Sequence, residues 1–267
     1  MTFVLGPQAA KAGYGLVTFD QAGSTNAEAL SYARGGEARR SWFVTSEQTA
    51  GRGRRQRRWI APRGNLASSV LEVLDVPPAV AATLGFAAGL AIESALRQVS
   101  LENALRSEGR AEFALKWPND VLAGGRKIVG MLLEAEQVAG GLAVVAGIGT
   151  NVLAAPTDTP TPAVSLRDLG VHVSAEDLFG ALSDSWVEYF GIWNGGRGFR
   201  DIRRLWLERA AGLGHPVAIR SGHAIIEGTF DTIDEQGCMV VRTADGRLEL
   251  ITAGDVHFGS VASTGAV

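Results

Sequence analysis

Arg52-Gly53-Arg54-Arg55-Gln56-Arg57-Arg58 places five arginines in seven positions, introduced by Gln48-Thr49-Ala50-Gly51 and closed by Trp59. An apolar, strand-like segment precedes it, Trp42 to Thr45, and another follows, Asn65 to Leu71. The run is therefore a loop held between two core elements, the kind of place where function concentrates. Arginine offers a planar, permanent charge that grips phosphate oxygens in pairs, while Gly51 and Gly53 let the backbone approach a ligand without a Cβ in the way. A nucleotide fits such a clamp, with Trp59 available to stack on its base. Basic runs also occur as nucleic-acid patches and targeting signals. The formal charge of −3 over 267 residues makes this one a local field on a mildly acidic protein and argues against general nucleic-acid affinity.

With 46% apolar residues the chain can bury a large core, enough for one large domain or one large and one small. Cys238 is the single cysteine, which excludes an internal disulfide and a cysteine-rich metal site. His172, His215, His223 and His257 lie apart, against a histidine metal centre or a histidine-based triad. We see no apolar run of the roughly 18 residues a membrane span needs, and no basic-then-apolar leader. A cytoplasmic protein with no membrane partner is expected.

Gly15 to Asp20 reads as a strand, and Ser24 to Glu28 as a helix start in which Thr25 and Glu28 have capping-box spacing. Pro78 to Val99 carries apolar residues at helical spacing. Phe113 to Trp117 is strand-like, and Lys127 to Glu136 and Leu142 to Gly149 form a hairpin across Val138-Ala139-Gly140-Gly141. Pro156 to Pro162 marks an exit from the sheet. A second capped helix opens at Ser174, and Phe199 to Ala211 continues as another. After Gly214, short β-rich runs at Val217–Ile219, Ala224–Thr229, Cys238–Arg242 and Leu248–Ile251 alternate with glycine turns, as in a small barrel. The expected domains are 1–213 and 214–267.

Neither G-x-x-x-x-G-K-[ST] nor a helix-opening G-x-G-x-x-G occurs. Gly147 to Asn151 follows a strand and is either a structural turn or a ligand-side loop. Lys116-Trp117-Pro118-Asn119-Asp120 puts a lysine at a strand end, where its ammonium either emerges into a pocket or snorkels from the core. Asp120 is a turn residue or a carboxylate near a metal-bound phosphate. Gly23-Ser24-Thr25-Asn26 is a helix cap or an open helix end that holds polar ligand groups.

Taken in order, Gly23-Ser24-Thr25-Asn26, Glu47 to Arg55, Gly64-Asn65-Leu66, Leu115 to Asp120, Lys127 to Glu134 and Gly147 to Asn151 closely resemble the biotin protein ligases, from about Gly15 to Phe258. The resemblance implies an α+β fold: a mixed β-sheet covered by helices, of the biotin-lipoate ligase type akin to class II aminoacyl-tRNA synthetases, with a C-terminal SH3-like β-barrel. It also implies ATP-dependent activation of biotin as biotinyl-5'-AMP, then transfer to a lysine of a biotin carboxyl carrier protein such as that of acetyl-CoA carboxylase. Ser24, Thr25, Asn26 and Gln48 would face the biotin ureido ring. Gly51, Arg52, Gly53 and Arg54 would hold its carboxylate and phosphate, and Lys116 would bridge carboxylate and α-phosphate, with Lys116 and Arg54 catalytic. Arg54, Arg55 and Arg57 would reach the triphosphate, Trp59 the adenine, Asn119 the nucleotide, and Asn151 the nucleotide or its metal. Mg²⁺ is expected on the phosphates with no dedicated protein site, and a monomer or homodimer with no nucleic-acid partner. Gln56 stands where the family usually has glycine, which bears on loop closure. About fourteen residues precede the first strand, too few for the helix-turn-helix of bifunctional relatives, so a ligase and not a repressor is expected. The alternative is a lipoate ligase, with a nucleic-acid-binding protein further off; an octanoyl transferase is disfavoured because Cys238 lies in the barrel.

Overall fold

The computed structural model describes residues 2–36, 39–104, 111–157, 159, 161–221 and 224–258, without the side chains of Gln56, Ser221 and Ala224. In chain order the elements are α1 (Pro7–Lys11), β1 (Gly15–Phe19), α2 (Thr25–Arg34), β2 (Ser41–Thr45), β3 (Gln48–Arg52), β4 (Arg58–Ala61), β5 (Leu66–Leu74), α3 (Pro78–Ala82), α4 (Leu84–Ala104), β6 (Phe113–Lys116), β7 (Asp120–Ala123), β8 (Arg126–Val138) and β9 (Gly141–Thr150). There follow α5 (Ala175–Trp193), α6 (Phe199–Leu207), β10 (Pro216–Ser221), β11 (Ala224–Ile233), β12 (Met239–Arg242), β13 (Leu248–Ile251) and β14 (Asp255–Phe258).

Alternation along β9 sets the layers. Leu142, Val144, Ala146 and Ile148 join the main core under α4 and α5, whereas Ala143 and Val145 face Ala29, Leu30 and Ala33 of α2 on the other side. A strand apolar at every position is one buried on both faces, and β9 sits in the middle of the sheet order β1-β2-β5-β9-β8-β7-β6. Only β1–β2 is parallel, so the sheet is mixed.

Several local expectations shift. The helix from Pro78 is two helices broken at Thr83, whose Oγ1 donates to Val80 O at 2.6 Å and accepts Trp193 Nε1 at 2.8 Å. The segment Pro78–Ala104 is long and apolar enough to cross a membrane, contrary to the sequence reading, but it is a core helix pair, with most of it buried in the protein. The cap of α2 is Ser24, whose Oγ accepts from Ala27 N at 3.5 Å; Thr25 is already helical, so Thr25 and Glu28 form no capping box. The arginine run closes a two-stranded ribbon, β3 with β4, and β7 and β14 are strands the sequence reading missed. His223 and positions 158 and 160 of the proline loop lie outside the described residues.

The C-terminal strands make an antiparallel sheet of order β13-β12-β11-β10-β14, with Val217, Ile219, Phe230, Val241, Ile251 and Val256 buried. Among the described residues no ladder joins β13 to β14 to close it. The segment leading into it is tied to the first sheet: Leu115 N donates to Arg209 O and Ala211 N to Leu115 O, both at 2.8 Å. Arg209 also reaches back to Glu93 Oε2 of α4 at 3.3 Å, where Arg97 is the second partner of that fully buried carboxylate.

Glu72 on β5 is a second buried acid. Its Oε1 accepts from Tyr14 Oη at 2.5 Å and from Trp186 Nε1 at 3.2 Å. Burial pushes the carboxyl above its ordinary value, against the lowering pull of those donors and Arg40. The folded protein therefore keeps this proton where the unfolded chain has released it, so the stability it carries is present below the ordinary glutamate value and lost as pH rises through the folded one. Glu72→Gln is expected to remove that loss. In melts at pH 5 and pH 8 the wild type should fall further than the variant, by about 2–4 °C for each ~1 kcal/mol. Parallel pH curves would contradict this account of Glu72.

Candidate active site

A cleft of about 790 Å³ opens between the first sheet, the N-terminus of α2, the β3–β4 ribbon, the β6–β7 turn and the rim of the C-terminal sheet. Of the residues expected to act, all but Gly51 and Arg55 line it. Gly51 is a packing position, since a Cβ there would stand 2.5 Å from both Trp59 O and Gln48 Nε2. Arg55 turns to the rim, where its Nη1 lies 2.9 Å from Asp255 Oδ2.

One end of the cleft is built from neutral groups on the first turn of α2. Thr25 N donates to Gln48 Oε1 at 2.9 Å, which ties the helix end to the ribbon. Asn26 is buried and held by Glu134 Oε2 at 2.8 Å, Leu132 O at 3.2 Å and Ser69 Oγ, which donates to its Oδ1 at 2.6 Å. Gly147 leaves room for it: a Cβ there would meet Asn26 Oδ1 at 2.2 Å. Arg52 Nη2 pairs with the same Glu134 Oε2 at 3.4 Å, so one carboxylate orients the amide and the first arginine.

The rest of the cleft, from Arg52 at the junction onward, is cationic. Arg52, Arg54, Arg57, Arg58, Lys116, Lys127 and Arg220 line the cleft against two carboxylates, Asp120 and Asp255, a surplus suited to a polyanion. Lys116 Nζ lies 5.6 Å from the centre of the Phe258 ring. Burial is the largest influence on its ammonium and pulls its pKa below the ordinary lysine value, with Lys127 adding to the fall and Asp120 and Asp255 opposing it. Arg54, likewise lowered first by burial and then by Arg55, donates from Nη1 to Asn119 Oδ1 at 3.3 Å, and Asn119 Nδ2 donates to Met131 O at 2.6 Å. Trp59 lies flat on glycines: a Cβ at Gly149 would meet its Nε1 at 2.4 Å and one at Gly130 its Cζ3 at 2.7 Å. Trp59 Nε1 and Asn151 Oδ1 are buried with no protein hydrogen-bond partner. Orphaned polar atoms of this kind in a cleft wall are positions for a ligand's own donors and acceptors.

Lys127 and Asp255 line the cleft without an assigned role in the sequence reading, as do Arg58 and Arg220. Lys127 Nζ pairs with Asp120 Oδ1 at 2.7 Å and stands 5.5 Å over the Trp59 ring. Its signal was available, because Gly124-Gly125, with φ of 55° and 76°, is a two-residue hairpin turn that folds Asp120 and Lys127 together. Asp255 had no signal, being 200 positions from Arg55. The Gln56 side chain lies outside the described set; the left-handed residue of that turn is Arg55, with φ of 54°.

A neutral recess thus lies beside a cationic trough, next to a mixed sheet that carries a small C-terminal sheet. Residues 29–151 match the biotin/lipoate A/B protein ligase family, and residues 212–259 match the biotin protein ligase C-terminal domain. The chain is 40% identical over 248 residues to a biotin-[acetyl-CoA-carboxylase] ligase of Paracoccus denitrificans, covering 88% of this chain and 97% of that one. It therefore belongs to the biotin protein ligase family. Among solved structures, a biotin protein ligase from Aquifex aeolicus in complex with biotin and ATP shares the fold, with a TM-score of 0.73 at 21% identity, over 92% of this chain and 99% of that one. The Leishmania major ligase in complex with biotinyl-5-AMP is 26% identical with a TM-score of 0.60, over 90% and 99%.

Proposed function

We infer that the chain joins biotin to ATP and passes the biotinyl group to a lysine of a biotin carboxyl carrier protein such as that of acetyl-CoA carboxylase. The observation that carries this reading is the pairing, in one cleft, of a neutral hydrogen-bonding recess with a seven-cation trough. A carboxylate oxygen of biotin attacks the α-phosphorus and pyrophosphate leaves; the acceptor amine then attacks the acyl carbon, AMP leaves, and one proton is lost. The first step brings two anions together, so the site's task is to cancel charge and align the reactants.

We assign Ser24, Thr25, Asn26 and Gln48 to the ureido ring, since a cyclic urea is read by neutral donors and acceptors. Arg52, Gly53 and Arg54 hold the carboxylate and phosphate, Lys116 bridges the reacting groups, and Lys127, lining the same cleft, faces the same anions. Arg57 and Arg55 take the triphosphate. Trp59 takes the adenine face, with Asn119 and the orphaned Asn151 Oδ1 toward the nucleotide. Magnesium enters as part of MgATP. Its ion is carried by phosphate oxygens and water. We place the domain boundary at 213/214, a division supported by the C-terminal family match from residue 212. Cytoplasmic location, a monomer or homodimer, and no nucleic-acid partner belong to the same proposal.

The test is direct. With a carrier domain, MgATP and either biotin or lipoate, mass spectrometry should find one added biotinyl group and no lipoyl group. Equal use of lipoate would move the chain to the lipoate branch of the class.

A further inference from the structure

Among the described residues Asp255 is the one acidic side chain on the C-terminal rim of the cleft, and it is spent on the arginine turn. Its Oδ2 lies 2.6 Å from Arg57 Nη2 and 2.9 Å from Arg55 Nη1. These pairs join β14 to the tip of the β3–β4 ribbon, two elements nearly 200 positions apart. Burial alone would raise the Asp255 carboxyl, but the hydrogen bond from Arg57 and the charges of Arg57, Arg55 and Arg54 outweigh it and hold it below the ordinary aspartate range. The carboxylate is thus ionised at neutral pH. The turn it grips is itself bent out of the usual range: Arg55, a residue with a Cβ, adopts φ of 54°, a left-handed conformation that needs a compensating tie. That tie is the bond from its guanidinium to Asp255.

Like-charged groups crowded into one turn need a counter-anion, and two anions can serve: the carboxylate fixed in the protein, or the phosphates of a nucleotide. Both present oxygen acceptors of the same kind to the same guanidinium forks. On the reading of Arg57 and Arg55 as triphosphate ligands given above, we propose that Asp255 is an internal stand-in for the triphosphate, closing the arginine ribbon onto the C-terminal sheet and giving it up when ATP enters. The ribbon is then in one of two arrangements, paired to β14 or paired to nucleotide. Asp255 acts as a positioning residue, since it touches the arginines and not the reacting atoms. The exchange makes ATP binding weaker than the bare arginines would allow. In return the turn is held in a defined shape, and the C-terminal sheet senses whether the nucleotide is present.

Removal of the negative charge should therefore favour ATP. In steady-state adenylation by the full chain, Asp255→Asn is expected to lower KM for ATP on the order of two- to fivefold at low salt, the scale of a part-exposed ion pair, with KM for biotin unchanged. The difference should shrink as salt screens the pair. Asp255→Glu, which keeps the charge, should stay near the wild-type value. A KM for ATP that is unchanged or raised in Asp255→Asn overturns the proposal, as does an equal fall in the Asn and Glu variants, which would trace the effect to packing. Arg57→Ala separates this from the underlying assignment. If it leaves KM for ATP unchanged, the reading of Arg57 as a triphosphate ligand is wrong; if it raises KM while Asp255→Asn lowers nothing, only the stand-in role is wrong.

Discussion

Lys116→Ala is expected to reduce biotinyl-5'-AMP formation on the order of 10²- to 10³-fold while the protein stays folded. Lys116 ends β6, with its stem in the sheet and its ammonium in the cleft, where the charge it neutralises exists in full only as carboxylate and α-phosphate meet. Loss of the ammonium should therefore appear mainly in the rate, with a smaller change in KM for biotin. Pyrophosphate release in single-turnover mixing gives the rate, and the melting curve gives the fold. A folded Lys116→Ala protein that adenylates at close to the wild-type rate would remove Lys116 from the mechanism and shift the bridging role to Lys127.

Gly147→Ala is expected to weaken biotin binding by more than tenfold, roughly 1.4 kcal/mol or beyond, with little effect on ATP. A Cβ at that position would stand 2.2 Å from Asn26 Oδ1, and Asn26 has no free direction of retreat because Leu132, Glu134 and Ser69 hold it. A methyl group alone would thus tilt the amide proposed to read the ureido ring. Gly149→Ala makes the natural control, because its Cβ would strike Trp59 at the nucleotide end. Calorimetric titration of both variants should give opposite patterns. Loss of biotin affinity in both, or in neither, would dissolve the division of the cleft into two ends.

What was legible in the sequence follows the range of each interaction. β5, β8 and β9 are long and apolar, and the glycine turn between β8 and β9 fixes their pairing, so pattern alone locates them. The chemical residues were legible because the cleft draws them from short contiguous stretches: the α2 cap, the ribbon and the β6–β7 turn. Three features were not. The ribbon itself was hidden, because Thr49-Ala50-Gly51 and the arginines show none of the alternation that marks a half-buried strand, and its closure is imposed by backbone bonds such as Gly53 N to Arg57 O at 2.7 Å. The break at Thr83 depends on a hydroxyl satisfied by Trp193, 110 positions away. Asp255 is one acid among many until folding carries β14 to the cleft.

The bond from Ala211 N to Leu115 O also sets how far the cleft can open. Between that anchored residue and Pro216, where β10 begins, the tether contains Gly212 and Gly214, both left-handed at φ of 77° and 75°. A tether this short extends to at most about 17 Å, whatever its glycines permit in direction. The C-terminal sheet is therefore on a short arm that cannot depart, and Trp117 Nε1, donating to Gly237 O at 3.1 Å, and Arg203 Nη1, donating to Ile233 O at 3.0 Å, dock it against the body that carries the cleft.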